Sequence, residues 1–257
     1  MPQLDSNRKI TEMLFESVII SQKNKKILER NAYQIKILDI NYLPQIMELH
    51  QLIIDRLIRK DTLQPFTLDF MKEHLGSKGV IIGVIFENKL IAFRNIYFPD
   101  ADEKEWNLGI DLGFAKNILH KVANLQMVCV HPFYRGNSLA MIMNRHAIKM
   151  IKISGTYDHI CATVSPYNYW NLKILLESGF VIKKLTTKYG DKLRYIVHLD
   201  LKNPLCCEPG YTEYVSLTDF TRQHKLHSKG WYGTSLSISK KSGNPSSYEK
   251  MLLGYCK

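Results

Sequence analysis

No apolar run in the 257 residues approaches the roughly 20 that a membrane-spanning helix needs, so a helical membrane protein is not expected. The opening segment, MPQLDSNRKITEMLF, carries acids early and has no long apolar stretch, so it does not read as a secretory signal. Cysteine is scarce. The five (Cys129, Cys161, Cys206, Cys207 and Cys256) show no metal-ligand spacing, and no metal is expected. Cys129 and Cys161 fall in predicted strands and read as small buried hydrophobes, while the adjacent Cys206 and Cys207 are too constrained for an ordinary staple. A reducing cytoplasm is the expected compartment. There is no internal repeat, no arginine–aromatic stripe and no nucleic-acid motif.

What is present is an ordinary globular composition, 45% hydrophobic and 23% charged. The length suits one large domain, alone or with a small appendage. The formal net charge is +11. That balance suits an anionic ligand such as a nucleotide cofactor, and on charge alone nucleic acid. The lysines are scattered, so a general compositional bias accounts for the charge better than a nucleic-acid surface does.

The stretch from Leu125 to Ala140, LQMVCVHPFYRGNSLA, carries the most information. Leu125 to Val130 reads as a buried strand ended by Pro132. Arg135 to Ser138 is turn chemistry. From Leu139 the apolar positions move to helical spacing at Ile142, Met143, Ala147, Met150 and Ile151, with Gly155 as the stop. A strand, a glycine loop and a helix start can form an anion site, because the first helical N–H groups lack intrahelical partners. The same pattern also serves as a plain connection.

In chain order, residues 1–31 read as a helical arm or leader, with an apolar patch from Met13 to Ile20. Residues 32–202 form the main domain. It begins with a strand over Ala32–Ile40 and a helix capped by Asn41, with Pro44 in its first turn and Ile46, Leu49, Ile53, Ile54, Leu57 and Ile58 on one face. A second helix spans Thr67–Leu75. A hairpin of Gly79–Phe86 and Leu90–Phe98 turns at Glu87-Asn88-Lys89. NLGIDLGF leads into a short helix before the central stretch. Then come a strand at His159–Val164, a helix at Asn168–Ser178 closed by Gly179, and a hairpin of Phe180–Lys188 and Lys192–Leu201. Residues 203–257 read as an appendage: a capping box at Ser216–Asp219, a helix to Lys229, and an edge strand at Tyr232–Ser239. It is rich in aromatics (Tyr211, Tyr214, Phe220, Trp231 and Tyr232).

This order of elements, with VCVHPFYRGNSLA and the later NYWNLKILLESGF, resembles the GNAT family, the GCN5-related N-acetyltransferases. The resemblance spans about residues 32–201. It implies an α/β GNAT acyl-CoA N-acyltransferase fold: a central mixed, mostly antiparallel twisted sheet flanked by helices, with splayed parallel strands at the cofactor site. It implies acetyl-CoA as cosubstrate, lying between Leu125–Val130 and His159–Val164. Backbone groups of Val128 and Val130 would pair with the pantetheine arm. Arg135, Gly136, Asn137, Ser138, Leu139 and Ala140 would hold the pyrophosphate. Asn168 matches the family asparagine that reaches the pantetheine or its phosphates, and Asn171 lies one turn on.

Two positions depart from the family pattern. Ser138 stands where glycine is common. Leu175 stands where many relatives carry the tyrosine that protonates the leaving thiolate. Tyr134, Tyr167 and Tyr169 are the substitutes the sequence offers, each also readable as a packing tyrosine. The implied reaction is direct attack of a neutral primary amine on the thioester, helped by an N–H near Val130 and by proximity. For the base, Asp111 and Asn107 are candidates in NLGIDLGF, with Asp111 also readable as a cap. Glu48 and Asp55 read as solvated, and His131 as a turn cap. The other readings are an acyl-CoA-binding module without turnover, favoured by Leu175, and a nucleic-acid binder, favoured by charge alone. The tail could roof the acceptor pocket or form a homodimer contact.

Overall fold

The hairpins and caps expected from the sequence organise the observed chain, a computed structural model describing residues 13–15, 33–205, 212–238 and 251–257. In chain order its strands are β1 (Met13–Phe15), β2 (Tyr33–Ile37), β3 (Gly79–Phe86), β4 (Lys89–Tyr97), β5 (Val122–Val130), β6 (His159–Val164), β7 (Val181–Lys188), β8 (Lys192–Asp200), β9 (Glu213–Ser216), β10 (Tyr232–Ile238) and β11 (Met251–Cys256). Its helices are α1 (Leu43–Asp55), α2 (Leu68–His74), α3 (Leu108–Asp111), α4 (Leu139–Ser154), α5 (Tyr169–Glu177) and α6 (Phe220–His227). The result is a mixed, mostly antiparallel sheet with helices against it, as expected.

The chain divides into two units. The first holds residues up to 60, 65–98 and 125–154. In it β1, β2, β3 and β4 are successive antiparallel neighbours. The β3–β4 turn works because Glu87 and Asn88 both hold positive φ, 49° and 61°, which matches the strand twist of a two-residue hairpin. Helices α1, α2 and α4 pack on this hairpin, so every residue of β3 is buried. A 3-10 turn, Ile40–Tyr42, precedes α1, and its cap is Asp39, whose carboxylate accepts from Asn41 N–H at 2.9 Å. Asn41 is therefore the capped residue and not the cap. Helix α1 also ends earlier than the apolar pattern suggested. The N–H groups of Arg56 and Leu57 turn back to Ile53 and Ile54, which closes the helix and leaves Ile58 in solvent. Thr67 caps α2 through its hydroxyl, 3.2 Å from Phe70 N–H.

The second unit holds residues 61–64, 99–124 and those from 155 onward. Here Val122–Asn124 of β5 pair in parallel with β6, and the order continues β6-β8-β7-β10-β11-β9 with antiparallel neighbours. The tail joins this sheet. β10 was expected at an edge but lies between β7 and β11, because the unforeseen strand MLLGYC supplies its other partner. Gly233 is needed at that junction, where a Cβ would meet the Ile182 side chain at 2.9 Å. The cap of α6 is Asp219, bonded to Arg222 N–H at 3.0 Å, while the expected Ser216 ends β9. Tyr232 is buried beside Val181 and Cys256.

Cys129 and Cys161 are free and buried, as expected. Cys256 is disulfide-bonded, so cysteine usage does not support a reducing compartment. No helix among the described residues is long and apolar enough to cross a membrane. The expected arm falls outside the described residues except at Met13–Phe15, which is strand and not helix; Cys206, Cys207 and Tyr211 also lie outside them.

One side chain ties the tail to the sheet of the second unit. Gln223, fully buried, accepts from Tyr195 Oη at 2.7 Å and donates to the carbonyls of Ser216 and Leu217 at 2.9 and 3.0 Å. Gln223→Leu removes the partners of two buried groups, the Tyr195 hydroxyl and the Leu217 carbonyl, while Ser216 O keeps the Asp219 N–H. It is expected to destabilise the fold by about 2 kcal/mol or more, given ~1–3 kcal/mol per orphaned group. Urea denaturation checks this; an unchanged midpoint would show that the bridge adds nothing.

Candidate functional site

β5 alternates as a strand with one face on the core. Leu125, Met127 and Cys129 are buried, and Gln126, Val128 and Val130 are half-buried. His131 N–H then donates to Ile91 O of β4 at 2.8 Å, which fixes where the strand ends. A 3-10 turn, Pro132–Tyr134, follows, and the His131 ring caps it by accepting from Phe133 N–H at 3.2 Å. Burial, then Arg56 and Arg135, hold the His131 imidazole below its ordinary value. It is a neutral cap.

The loop after this turn has an unusual backbone. Arg135 sits at φ −64°, Gly136 at +86°, Asn137 at negative φ and Ser138 at +57°. Arg135 is extended, with ψ 156°, and the positive φ of Gly136 and Ser138 turns the chain sharply, a turn conformation of the kind that can present N–H groups to an anion. The Asn137 side chain locks the loop by donating to Tyr134 O at 2.9 Å. Helix α4 begins at once, Ile142 N–H bonding to Ser138 O at 3.0 Å. Arg135, Gly136 and Ser138 are exposed, while Leu139 is buried and anchors the helix start. So the loop presents N–H groups, a helix N-terminus and a cation to solvent.

A buried arginine sets the direction of α4. Arg94 of β4 donates to Asn144 Oδ1 in the helix, and burial lowers its guanidinium to about 9. Cys129 lies nearby; burial pushes its thiol up to about 12, so it is no nucleophile.

In the second unit the parallel ladder is short. Val122, Ala123 and Asn124 face His159, Ile160 and Cys161, and the pairing stops there, although β6 runs on to Val164. The Nδ2 of buried Asn124 donates to Trp106 O at 2.6 Å. Beyond β6, Asn168 is the N-cap of α5, its Oδ1 accepting from Asn171 N–H at 3.3 Å. Among the described residues, the buried Oδ1 of Asn171 has no hydrogen-bond donor. A buried acceptor without a donor is costly, and it suits a ligand amide or hydroxyl.

No family model and no curated protein matches the sequence. Solved structures do match. An acetyltransferase of the GNAT family from Streptococcus pneumoniae superposes with a TM-score of 0.51 at 14% identity, over 66% of this chain and 99% of that one. The ribosomal-protein-S18-alanine N-acetyltransferase from Escherichia coli gives 0.50 at 16%, over 70% and 99%. A Salmonella typhimurium protein solved with its cofactor acetyl-CoA gives 0.50 at 13%, over 69% and 98%. The chain has the GNAT fold.

Within the GNAT fold the expected catalytic side chains are differently employed. The carboxylate of Asp111 is paired with Lys188 Nζ at 2.6 Å, and Lys184 Nζ donates to Asp111 O at 2.8 Å. Asn107 is consumed in capping α3 and in bonds to the carbonyls of Asp100 and Leu119. Glu48 and Asp55 are exposed. Tyr134 packs edge-on against Phe86, and burial, then Glu87, hold its phenol above the ordinary value. Leu175 is 1% exposed and belongs to the core.

Tyr189 stands in the turn between β7 and β8. It holds φ 57°, its hydroxyl lies 3.4 Å from Thr163 Oγ1 of β6, and its ring stacks near Trp106 at 5.5 Å. Burial raises its phenol. A bulky residue at positive φ is uncommon, and the sequence signal was a tyrosine standing where a Gly or Asn would be usual.

Ser138 carries the backbone strain of the loop. A β-branched residue at its φ is expected to cost about 1–2 kcal/mol, while glycine is tolerated. Ser138→Val should therefore lower the denaturation midpoint and Ser138→Gly should not. Equal midpoints for the two variants would contradict the left-handed assignment.

Proposed function

We propose that the chain transfers an acetyl group from acetyl-CoA to a primary amine. The observation that carries this reading is the loop from Arg135 to Ser138, with its alternating φ, exposed arginine and direct entry into α4. Such a loop fits a pyrophosphate. On this reading the N–H groups of Gly136, Asn137, Ser138, Leu139 and Ala140 hold the phosphates with Arg135. The backbone of Val128 and Val130, on the half-buried side of β5, pairs with the pantetheine arm. Asn168 and Asn171 stay in the proposal as cofactor residues, and the unpartnered Oδ1 of Asn171 is what supports the second of them. Further support comes from the Salmonella protein of the same fold, solved with acetyl-CoA, and from the Escherichia coli one, named for acetylating an alanine.

Acetyl-CoA supplies an activated thioester. The protein's part is orientation and charge. The acceptor ammonium, with a pKa near about 10.4, must lose a proton before attack. Asp111 is already matched by Lys188 and His131 is engaged as a cap, so solvent is the proposed proton acceptor. An N–H of β5 near Val130 would meet the developing oxyanion. With Leu175 in the core, Tyr189 joins Tyr134 as a proposed proton donor, on the strength of its half-buried hydroxyl 3.4 Å from Thr163 Oγ1.

The buried Leu175 also favours a second reading, an acyl-CoA-binding module without turnover. Free CoA release over a panel of primary amines separates the two. Release above the rate of spontaneous hydrolysis with at least one amine is expected; binding with no release from any amine would favour the module. Arg135→Glu should weaken acetyl-CoA affinity about tenfold or more, from ~1.5 kcal/mol or more per charged hydrogen bond lost, as read by calorimetry. Unchanged affinity would remove Arg135 from the site. Tyr189→Phe should lower kcat about tenfold to a hundredfold with KM little changed. An unchanged kcat would return Tyr189 to a packing role.

A further inference from the structure

The register of β6 against β8 gathers three donor groups in the second unit. His159 lies opposite Asp200, and Cys161 opposite His198. His198 and Asp200 are two residues apart on one strand, so they share a face, and His159 joins them across the ladder. His159 Nδ1 lies 3.2 Å from His198 Nε2 and 3.8 Å from Asp200 Oδ2, and one ligand atom from each residue falls within 4.8 Å of the other two.

We propose that His159, His198 and Asp200 bind a divalent cation of the zinc type, with water completing the shell. Ligand atoms held about 2.0–2.1 Å from a tetrahedral zinc are separated by about 3.3–3.4 Å. The two imidazole nitrogens already stand near that spacing, and the carboxylate oxygen, 3.8 Å from His159 and within 4.8 Å of His198, closes by a side-chain rotation. The carboxylate is oriented from behind: its Oδ1 accepts from the N–H groups of Lys202 and Asn203 at 2.9 and 2.8 Å, which leaves Oδ2 toward His159. Outer bonds of this kind are what fix a metal ligand. Phe114 packs against both imidazoles, 4.9 and 5.4 Å between centroids, and walls one side with apolar surface. The side chains of His159 and Asp200 are 16% and 19% exposed, which gives an ion a way in.

The charges around the cluster are mixed. Lys183 faces His198 and opposes a cation; Asp200 offsets it, and Asp158, near His159, adds a second carboxylate bonded to Lys202 at 2.8 Å. Burial, then His159 and Lys183, lower His198 to about 4, so it is neutral and ready to ligate at pH 7. The competing occupant of the gap is a proton, shared as one N–H···N bond between two neutral rings. A cation would instead clip the start of β6 to the end of β8. The sequence concealed this cluster because its two histidines lie 39 residues apart and meet only through strand pairing.

The test is a calorimetric titration of the metal-free full chain with Zn2+. One equivalent bound at micromolar affinity or tighter, with a raised melting temperature, is expected. His159→Gln and Asp200→Asn should each weaken binding at least about tenfold. Asp200→Asn keeps an oxygen for the Lys202 and Asn203 N–H groups, so its fold is preserved. The exposed His120→Gln should bind as the parent does. Absence of both heat and melting shift in the parent chain would overturn the proposal, as would an unchanged affinity in His159→Gln or Asp200→Asn.

Discussion

A parallel ladder three residues long governs what the rest of this molecule can do. Val122–Asn124 pair with His159–Cys161 and then stop. An uninterrupted parallel pair would spend the backbone groups of β5 on β6, as buried parallel sheets do. Leu125–Val130 continue with Gln126, Val128 and Val130 half-buried, and the chain runs from there into the loop and α4. The buried Asn124, bonded to the Trp106 carbonyl, sits at the last paired position. Arg94, bonded to Asn144, holds the helix that the loop feeds.

Strain is concentrated where chemistry is proposed. Among the described residues, four other than glycine hold positive φ: Glu87, Asn88, Ser138 and Tyr189. The first two form an ordinary hairpin turn. The other two are a serine in the Arg135–Ser138 loop and a tyrosine in the β7–β8 turn, where a glycine or asparagine would adopt the same φ at less cost. Both cost backbone energy that packing elsewhere must cover, which is common at ligand sites.

Much of the fold was legible because its signals are local. The Gly79–Phe86 strand, the His159–Val164 strand and the Leu139 helix start appear where periodicity put them. The turn from Arg135 to Ser138 was legible through its glycine and its place before a helix; its role toward a phosphate is the proposal. What stayed hidden depends on partners distant in sequence. β10 looked like an edge strand because nothing in Tyr232–Ser239 announces that MLLGYC will pair with it. The end of α1 is set by backbone closure at Arg56, which overrides two more apolar residues. Asp111 looked like a free carboxylate because Lys188, 77 residues on, cannot be read as its partner from spacing. The histidine pair was hidden for the same reason.

The central claim is that this GNAT-fold chain recognises acetyl-CoA, and a thermal melt with and without it tests that claim most directly. At a concentration one hundred times the dissociation constant, binding stabilises the folded chain by about 2.7 kcal/mol, a rise of several degrees. Desulfo-CoA, which keeps the phosphates and most of the arm, should raise the melting temperature as well. An unchanged melting temperature at saturating acetyl-CoA would contradict the account.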